Sequence, residues 1–329
     1  MLLLSRSDIE AALDLDELRD AVEAAMVELS SGAATVAPRT GVGVAASGGW
    51  LAAMAASLPS QRTVAAKLVS VFPNPPESGI PTHQAVITLF DDATGTPSAI
   101  LDGTYITAVR TAAGSAVATK WLARVDSRRL VIIGTGVQAR EHARAVARVR
   151  PIEEIVIAGR SEESARRLAG EVHATQGIAT RATTAIAEAI AAADIVCAAT
   201  HAMEPVVQRA SVRPGTHITS VGVNREGREV DAQTVADAHV VVEQREAALA
   251  GTGAGGANDL TWAIRDGAIS ADHIAAELGA VIAGRAPGRS SSEQITLYKS
   301  VGVAVQDAAA AALAVRSARS LGLGVDVGL

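Results

Sequence analysis

Aromatic side chains are nearly absent: three Trp, two Tyr and two Phe make up 2% of 329 residues. A groove for single-stranded nucleic acid needs rings for bases to stack on, and a duplex-binding face needs an excess of positive charge. Lys and Arg number 29 against 35 Asp and Glu, a formal net charge of −6 with the signs interspersed, so nucleic acid is excluded as a partner. Cysteine is limited to Cys197, inside the apolar run Ile195-Val196-Cys197-Ala198. It reads as a buried strand residue rather than a nucleophile, and no disulfide can form within the chain. Long apolar runs are missing too. Met1-Leu2-Leu3-Leu4 is too short for a signal peptide, and Glu188 and Asp194 interrupt the longest candidate membrane span. No His, Cys and carboxylate cluster has metal-ligand spacing, so no metal is expected. What these absences leave is a soluble, cytoplasmic, globular protein in which alanine and valine carry the packing. Its length points to two domains.

What is present is organised around Leu130-Val131-Ile132-Ile133-Gly134-Thr135-Gly136-Val137-Gln138-Ala139. Four apolar residues read as a buried parallel strand, the glycines as a tight turn, and the alanine-rich stretch from Val137 as a helix. A strand running through Gly-x-Gly into a helix N-terminus suits a dinucleotide pyrophosphate. Gly134 permits the turn, Gly136 lets the backbone approach the phosphates, and Ala139 allows close helix packing. Strands at 154–158, 178–181, 195–199, 217–221 and 239–242, with a helix at 161–175, continue a Rossmann-type doubly wound parallel sheet.

The preceding residues read as a mixed α/β unit. A short helix follows Ser7 as N-cap, and a second spans 16–30 with Leu18, Val22, Ala25, Met26 and Leu29 on one face. β-type segments at 40–45, 50–57 and 63–71 precede a hairpin, 84–90 with 97–101, and a long helix at 104–124. The glycine-rich stretch 251–258 reads as a mobile loop. A last helix, beginning within 290–306 and running through 308–319, is expected to return to the first unit. The expected division is therefore 1–125 completed by 300–329, and 126–299 for the dinucleotide domain.

Several side chains carry candidate chemistry. The second nucleotide strand ends in Ala158-Gly159-Arg160-Ser161, with no acid for a ribose 2′-hydroxyl. Arg160 and Ser161 suit a 2′-phosphate, which favours NADP(H) over NAD(H); otherwise Arg160 is solvated and Ser161 caps the next helix. Lys67 interrupts an apolar strand, Arg110 sits among small residues, and Arg39 follows Pro38. Each alone reads as a surface or ion-pair residue, yet three cations from separate elements could clamp a carboxylate.

These residues carry a resemblance. Lys67, Gly79-Ile80-Pro81-Thr82, Asp92-Ala93-Thr94-Gly95-Thr96-Pro97, Arg110-Thr111-Ala112-Ala113-Gly114-Ser115-Ala116, the Gly134–Ala139 turn and Thr296-Leu297-Tyr298-Lys299-Ser300-Val301-Gly302 follow in order. Together they resemble the ornithine cyclodeaminase/mu-crystallin family, across nearly the whole chain. The resemblance implies a homodimer whose substrate-binding domain also dimerises, joined to a Rossmann domain. Family members include ornithine and lysine cyclodeaminases, an alanine dehydrogenase and reductases of cyclic ketimines. By that resemblance, Arg39, Lys67 and Arg110 hold the substrate carboxylate, and Arg110 also borders the cofactor. Thr82 and Ser300 approach the nicotinamide, Val137 and Gln138 the pyrophosphate, while Thr200, Val221, Gly222 and Val223 border the cofactor.

One departure matters. Ornithine cyclodeaminases place a catalytic aspartate where this chain has Asn224, and an amide is no general base near neutral pH. The acid that helps hold a diamine is also not evident in 50–57. Glu229 and Asp231 follow shortly, and Asp231 reads as a helix N-cap. The expectation is an NAD(P)H-dependent reductase of a small cyclic ketimine carboxylate, such as 1-pyrroline-2-carboxylate. Lys67, His83 or an Asn224-held water would supply the proton. Amino-acid deamination is the nearest alternative, and a mu-crystallin-like binding protein with vestigial catalysis the other.

Overall fold

The computed structural model describes residues 1–73, 78–222, 224, 226–251 and 255–328. The chain forms two units, Met1–Arg110 with Gly302–Leu329, and Thr111–Val301. The first border falls inside the helix Gly103–Leu122 rather than at 125/126, and the second lies at 301/302 rather than 299/300. That helix carries the chain from one unit into the other, so the change of hydrophobic rhythm at Leu130 comes after the border.

The first unit begins with β1 (Leu2–Leu4), β2 (Thr35–Val36), β3 (Thr40–Val44), β4 (Gly49–Leu58), β5 (Thr63–Val71), β6 (His83–Asp91) and β7 (Pro97–Asp102). β1 is the short run dismissed as a leader; it pairs parallel to β7 in the sheet. The first helix, Arg6–Ala12, is capped by Ser5 rather than Ser7, because Ser5 and Asp8 form a reciprocal capping box. The helix Leu15–Ser31 buries the five expected apolar residues and stops at Gly32, which adopts φ 79°. Antiparallel register sets Lys67 on β5 opposite Met54 on β4 and Ile87 on β6. Directly opposed residues share a face, and Met54 and Ile87 are buried, so Lys67 points into the core.

The second unit contains β8 (Arg129–Ile133), β9 (Glu154–Ala158), β10 (Ala179–Thr183), β11 (Ile195–Ala198), β12 (His217–Ser220), β13 (His239–Val242), β14 (Ile274–Glu277) and β15 (Thr296–Lys299). They order as β10-β9-β8-β11-β12-β15-β13-β14, with every pairing parallel. Val131 and Ile133 join one core and Leu130 and Ile132 the other, as a sheet covered on both faces requires. Strand order reverses between β8 and β11, the place where such sheets bind ligands beyond their carboxyl ends.

β15 is a strand inside the range 290–306, where only the start of the last helix was expected. Thr296, Leu297 and Tyr298 favour a strand, and all four β15 residues are buried between β12 and β13. Gly302, at φ 75°, then turns the chain, and the C-terminal helix starts only at Ala304. This helix, Ala304–Leu321, packs on β4, β5, β6 and the helix Leu15–Ser31. Its alanines let it approach closely at no cost in side-chain entropy. β16 (Val325–Asp326) then pairs antiparallel with β1, giving the order β16-β1-β7-β6-β5-β4-β2, with β3 on β4. Of the expected mobile loop, residues 252–254 lie outside the described residues; 255–258 are buried and lead into the helix Asn258–Arg265. No helix among the described residues is long and apolar enough to cross a membrane.

Candidate active site

In the first unit three elements converge on one buried carboxylate. Lys67, at the middle of β5, donates from Nζ to Asp307 Oδ2 at 2.8 Å, and Arg110 Nε donates to Asp307 Oδ1 at 2.9 Å. Arg110 Nη1 also donates to Gln306 Oε1 at 2.8 Å. All three charged groups are almost completely buried, at 2% for Lys67, 4% for Arg110 and 1% for Asp307. Arg39 Nη2 donates to Gly302 O at 2.8 Å, and a Cβ at Gly302 would lie 2.6 Å from Arg110 Nη1. The glycine therefore lets the two arginines approach one loop.

Burial pushes the Lys67 ammonium down to about 7; Asp307 resists this, while Arg110 and Arg39 add to it. Burial also works against the Asp307 carboxylate, but Arg110 and Lys67 outweigh it and hold its pKa below the usual range. Lys67 and Arg110 thus share one carboxylate, with Arg39 held on the same loop, a charge balance suited to a second, incoming carboxylate. Asp307 was not singled out in the sequence; its signal is an acid at the head of a long run of alanines. His83, at the start of β6, is driven down to about 4 by burial and then by Lys67 and Arg110. At neutral pH it is an uncharged imidazole, which removes it as a cationic proton donor. Thr82 is exposed beside it, its carbonyl accepting from Phe72 N at 2.8 Å.

In the second unit the turn after β8 has the required shape. Gly134 adopts φ 122°, and a Cβ there would lie 2.5 Å from Ala199 O. Gly136 is the N-cap of the helix Val137–Val146, which has no side-chain cap, and nothing lies within 4 Å of a Cβ built on it. The helix N-terminus therefore offers uncapped N–H groups to open space, and Gln138 Oε1 beside it is buried without a partner. These features fit a dinucleotide pyrophosphate. Gly136→Ala should leave the thermal midpoint unchanged, because φ is −90° and the space is empty. It should weaken NADH binding by about tenfold or more by occupying the phosphate's volume, as titration of cofactor fluorescence would measure.

Beyond the strand ends lies a buried polar network that the sequence did not announce. Glu229 accepts from Thr200 N at 2.6 Å, Thr200 Oγ1 at 2.8 Å, Ser220 Oγ at 2.8 Å and Gly222 N at 2.7 Å. Lys299 Nζ donates to Ser220 Oγ at 3.0 Å and Gly222 O at 2.9 Å, and pairs with Asp259 Oδ2 at 2.7 Å. Asp259 Oδ1 in turn accepts from Glu229 N and Val230 N. Glu243 accepts from Ser300 Oγ and Val301 N, both at 2.7 Å. Thr200, Gly222 and Ser300 are thus each fixed by a buried carboxylate. Val221 N donates to Ala198 O, while Val223 lies outside the described residues.

Two sequence readings change here. Asn224 Nδ2 donates to His201 O, Ala202 O and Met203 Sδ in the segment after β11, and its Oδ1 accepts from Glu226 N, so its amide is spent tying that segment to its own turn. That removes the water-holding role. Ser161 Oγ accepts from Ser164 N as the helix N-cap, and Arg160 is exposed. Asp231 caps its helix as expected, accepting from Thr234 N at 2.9 Å. Burial pushes the Cys197 thiol up to about 12, consistent with an inert core residue. No group of three or more His, Cys, Asp or Glu among the described residues could hold a metal ion.

Known proteins share this architecture. The model of the ornithine cyclodeaminase/mu-crystallin family matches residues 1–321. A Delta(1)-pyrroline-2-carboxylate reductase of Bacillus cereus is 37% identical over 309 residues, 93% of each chain. The structure of Thermococcus litoralis Delta(1)-pyrroline-2-carboxylate reductase in complex with NADH and L-proline superposes with a TM-score of 0.95 at 41% identity, covering 99% of this chain and 100% of that one. An archaeal alanine dehydrogenase dimer with bound NAD gives a TM-score of 0.92 at 32% identity, covering 100% of this chain and 99% of that one.

Proposed function

The chain belongs to the ornithine cyclodeaminase/mu-crystallin family, and we propose that it acts there as an NAD(P)H-dependent reductase of a small cyclic ketimine carboxylate, such as 1-pyrroline-2-carboxylate. The observation that carries this reading is the cluster of Arg39, Lys67 and Arg110 gathered around Asp307 and its loop. When bound, the reduced nicotinamide supplies the hydride for the C=N carbon. Arg39 and Arg110 orient the substrate through its carboxylate, and the buried apolar flank of Met54 and Ile87 excludes water around Lys67. Lys67, titrating near 7, holds a proton it can give to the ring nitrogen. His83, neutral at that pH, contributes a hydrogen bond at most.

Asn224 offers no general base, which separates this chain from cyclodeamination. The likeness to alanine dehydrogenase favours reductive amination of a 2-oxo acid as the second reading. Nicotinamide absorbance with 1-pyrroline-2-carboxylate, set against pyruvate plus ammonia, distinguishes the two. Rapid oxidation with the cyclic imine supports the first reading; turnover confined to pyruvate and ammonia sinks it. The exposed Arg160, with no acid within Ala158–Ser161, supports NADP(H) over NAD(H). Arg160→Ala should lower the NADPH-to-NADH ratio of kcat/KM by about tenfold, the worth of one charge-assisted hydrogen bond.

The protein acts as a homodimer in this reading. Support comes from the exposed face of the first sheet, where Val42 faces Leu51 and Leu68 faces Val86 on the side away from Lys67. A second copy of that surface would cover these side chains. A cytoplasmic setting is supported by the single, buried thiol.

A further inference from the structure

We infer that Asp307 is the positioning residue of the carboxylate clamp: it sets Lys67 and Arg110 side by side, one on each of its oxygens, before substrate arrives. The inference rests on the reading of the cluster as the substrate site. Each Asp307 oxygen takes one cation, Oδ2 the Lys67 ammonium and Oδ1 the Arg110 Nε. The two cations come from a strand and a helix that share no local sequence, so their juxtaposition depends on a third element. That element is the first turn of the C-terminal helix, where Gln306 also accepts from Arg110 Nη1.

The groups acting on Lys67 are Asp307 from the C-terminal helix, Arg110 from the long helix and Arg39 from the segment before β3; His83 on β6 feels Lys67 in turn. Asp307 is the charge that favours the ammonium, whereas burial, Arg110 and Arg39 all oppose it. Without Asp307, the route to relief for a buried lysine among two guanidinium groups is to lose its proton. The clamp would then lose one of its cations and its proton donor in the pH range where it should work.

Asp307→Asn keeps the shape and removes the charge, while Asp307→Glu keeps the charge. Two readouts suit the test: the Lys67 Nζ titration by nitrogen NMR, which needs no substrate, and the pH profile of kcat/KM, which reports the free enzyme. In the Asn variant, the proton affinity of Lys67 should fall about tenfold or more. The alkaline limb of kcat/KM should move to lower pH by the same factor, and NADH binding should stay unchanged. The Glu variant should return both towards wild type. An unmoved Lys67 titration, equal shifts in both variants, or a profile of unchanged shape scaled down would overturn the inference. If the wild type fails to reduce any cyclic imine, the functional reading falls, while the NMR titration still decides what Asp307 does.

Discussion

Arg110→Lys should lower kcat/KM for the ketimine by roughly 10³-fold and leave the Kd for NADH within about twofold. A guanidinium grips a carboxylate with two parallel bonds, each worth ~1.5–3 kcal/mol when charge-assisted, whereas an ammonium offers a point charge. The lysine retains a counter-charge for Asp307, so the fold should survive; Arg110→Ala would instead leave Asp307 with Lys67 alone among its present ion-pair partners. The cradle at Gly134 and Gly136 belongs to the other unit, and the lysine keeps the positive charge that borders the cofactor, which is why cofactor affinity should be spared. Steady-state kinetics beside a cofactor titration checks both halves. Activity within about tenfold of wild type would remove Arg110 from the clamp.

Lys299→Met should strongly destabilise the second unit. Lys299 is 1% exposed and pairs with the equally buried Asp259. Taking away one partner of a buried ion pair costs ~3–5 kcal/mol, because the other charge stays desolvated. For a unit of this size that corresponds to a fall of roughly 10 °C in the midpoint of thermal unfolding. Asp259→Asn added to Lys299→Met should recover much of the loss. The amide is uncharged, and its oxygen can still accept from Glu229 N and Val230 N. A double variant no more stable than Lys299→Met would show that packing, not the orphaned charge, sets the cost.

The sequence made most of both sheets legible, because alternation and apolar runs are local signals. β5, β9 and β13 carry their expected bounds, and the five-residue face of the helix Leu15–Ser31 is buried throughout. β15 was missed because Thr296–Lys299 runs towards an alanine-rich helix, and only its burial between two parallel neighbours makes it a strand. The cations of the clamp could be picked out because a charge in an apolar run is conspicuous. Their counter-ion could not, since Asp307 lies 240 residues from Lys67 and 197 from Arg110. Glu243 and Asp259 escaped for a related reason, and so did the bonds that Glu229 accepts: each is defined by strand ends that only the folded sheet gathers.

The helix Ala304–Leu321 lies against the first sheet although it is made only after the whole of Thr111–Val301. During synthesis, Met1–Arg110 emerges long before the helix that covers its apolar face, whereas Thr111–Val301 leaves the ribosome as one continuous stretch. The dinucleotide unit can therefore mature first, and the first unit must wait with β4, β5 and β6 uncovered. Lys67 and Arg110 wait with it, without their carboxylate, until residue 307 arrives. The cluster of Lys67, Arg110 and Asp307 thus assembles only once the first turn of the helix Ala304–Leu321 has been made.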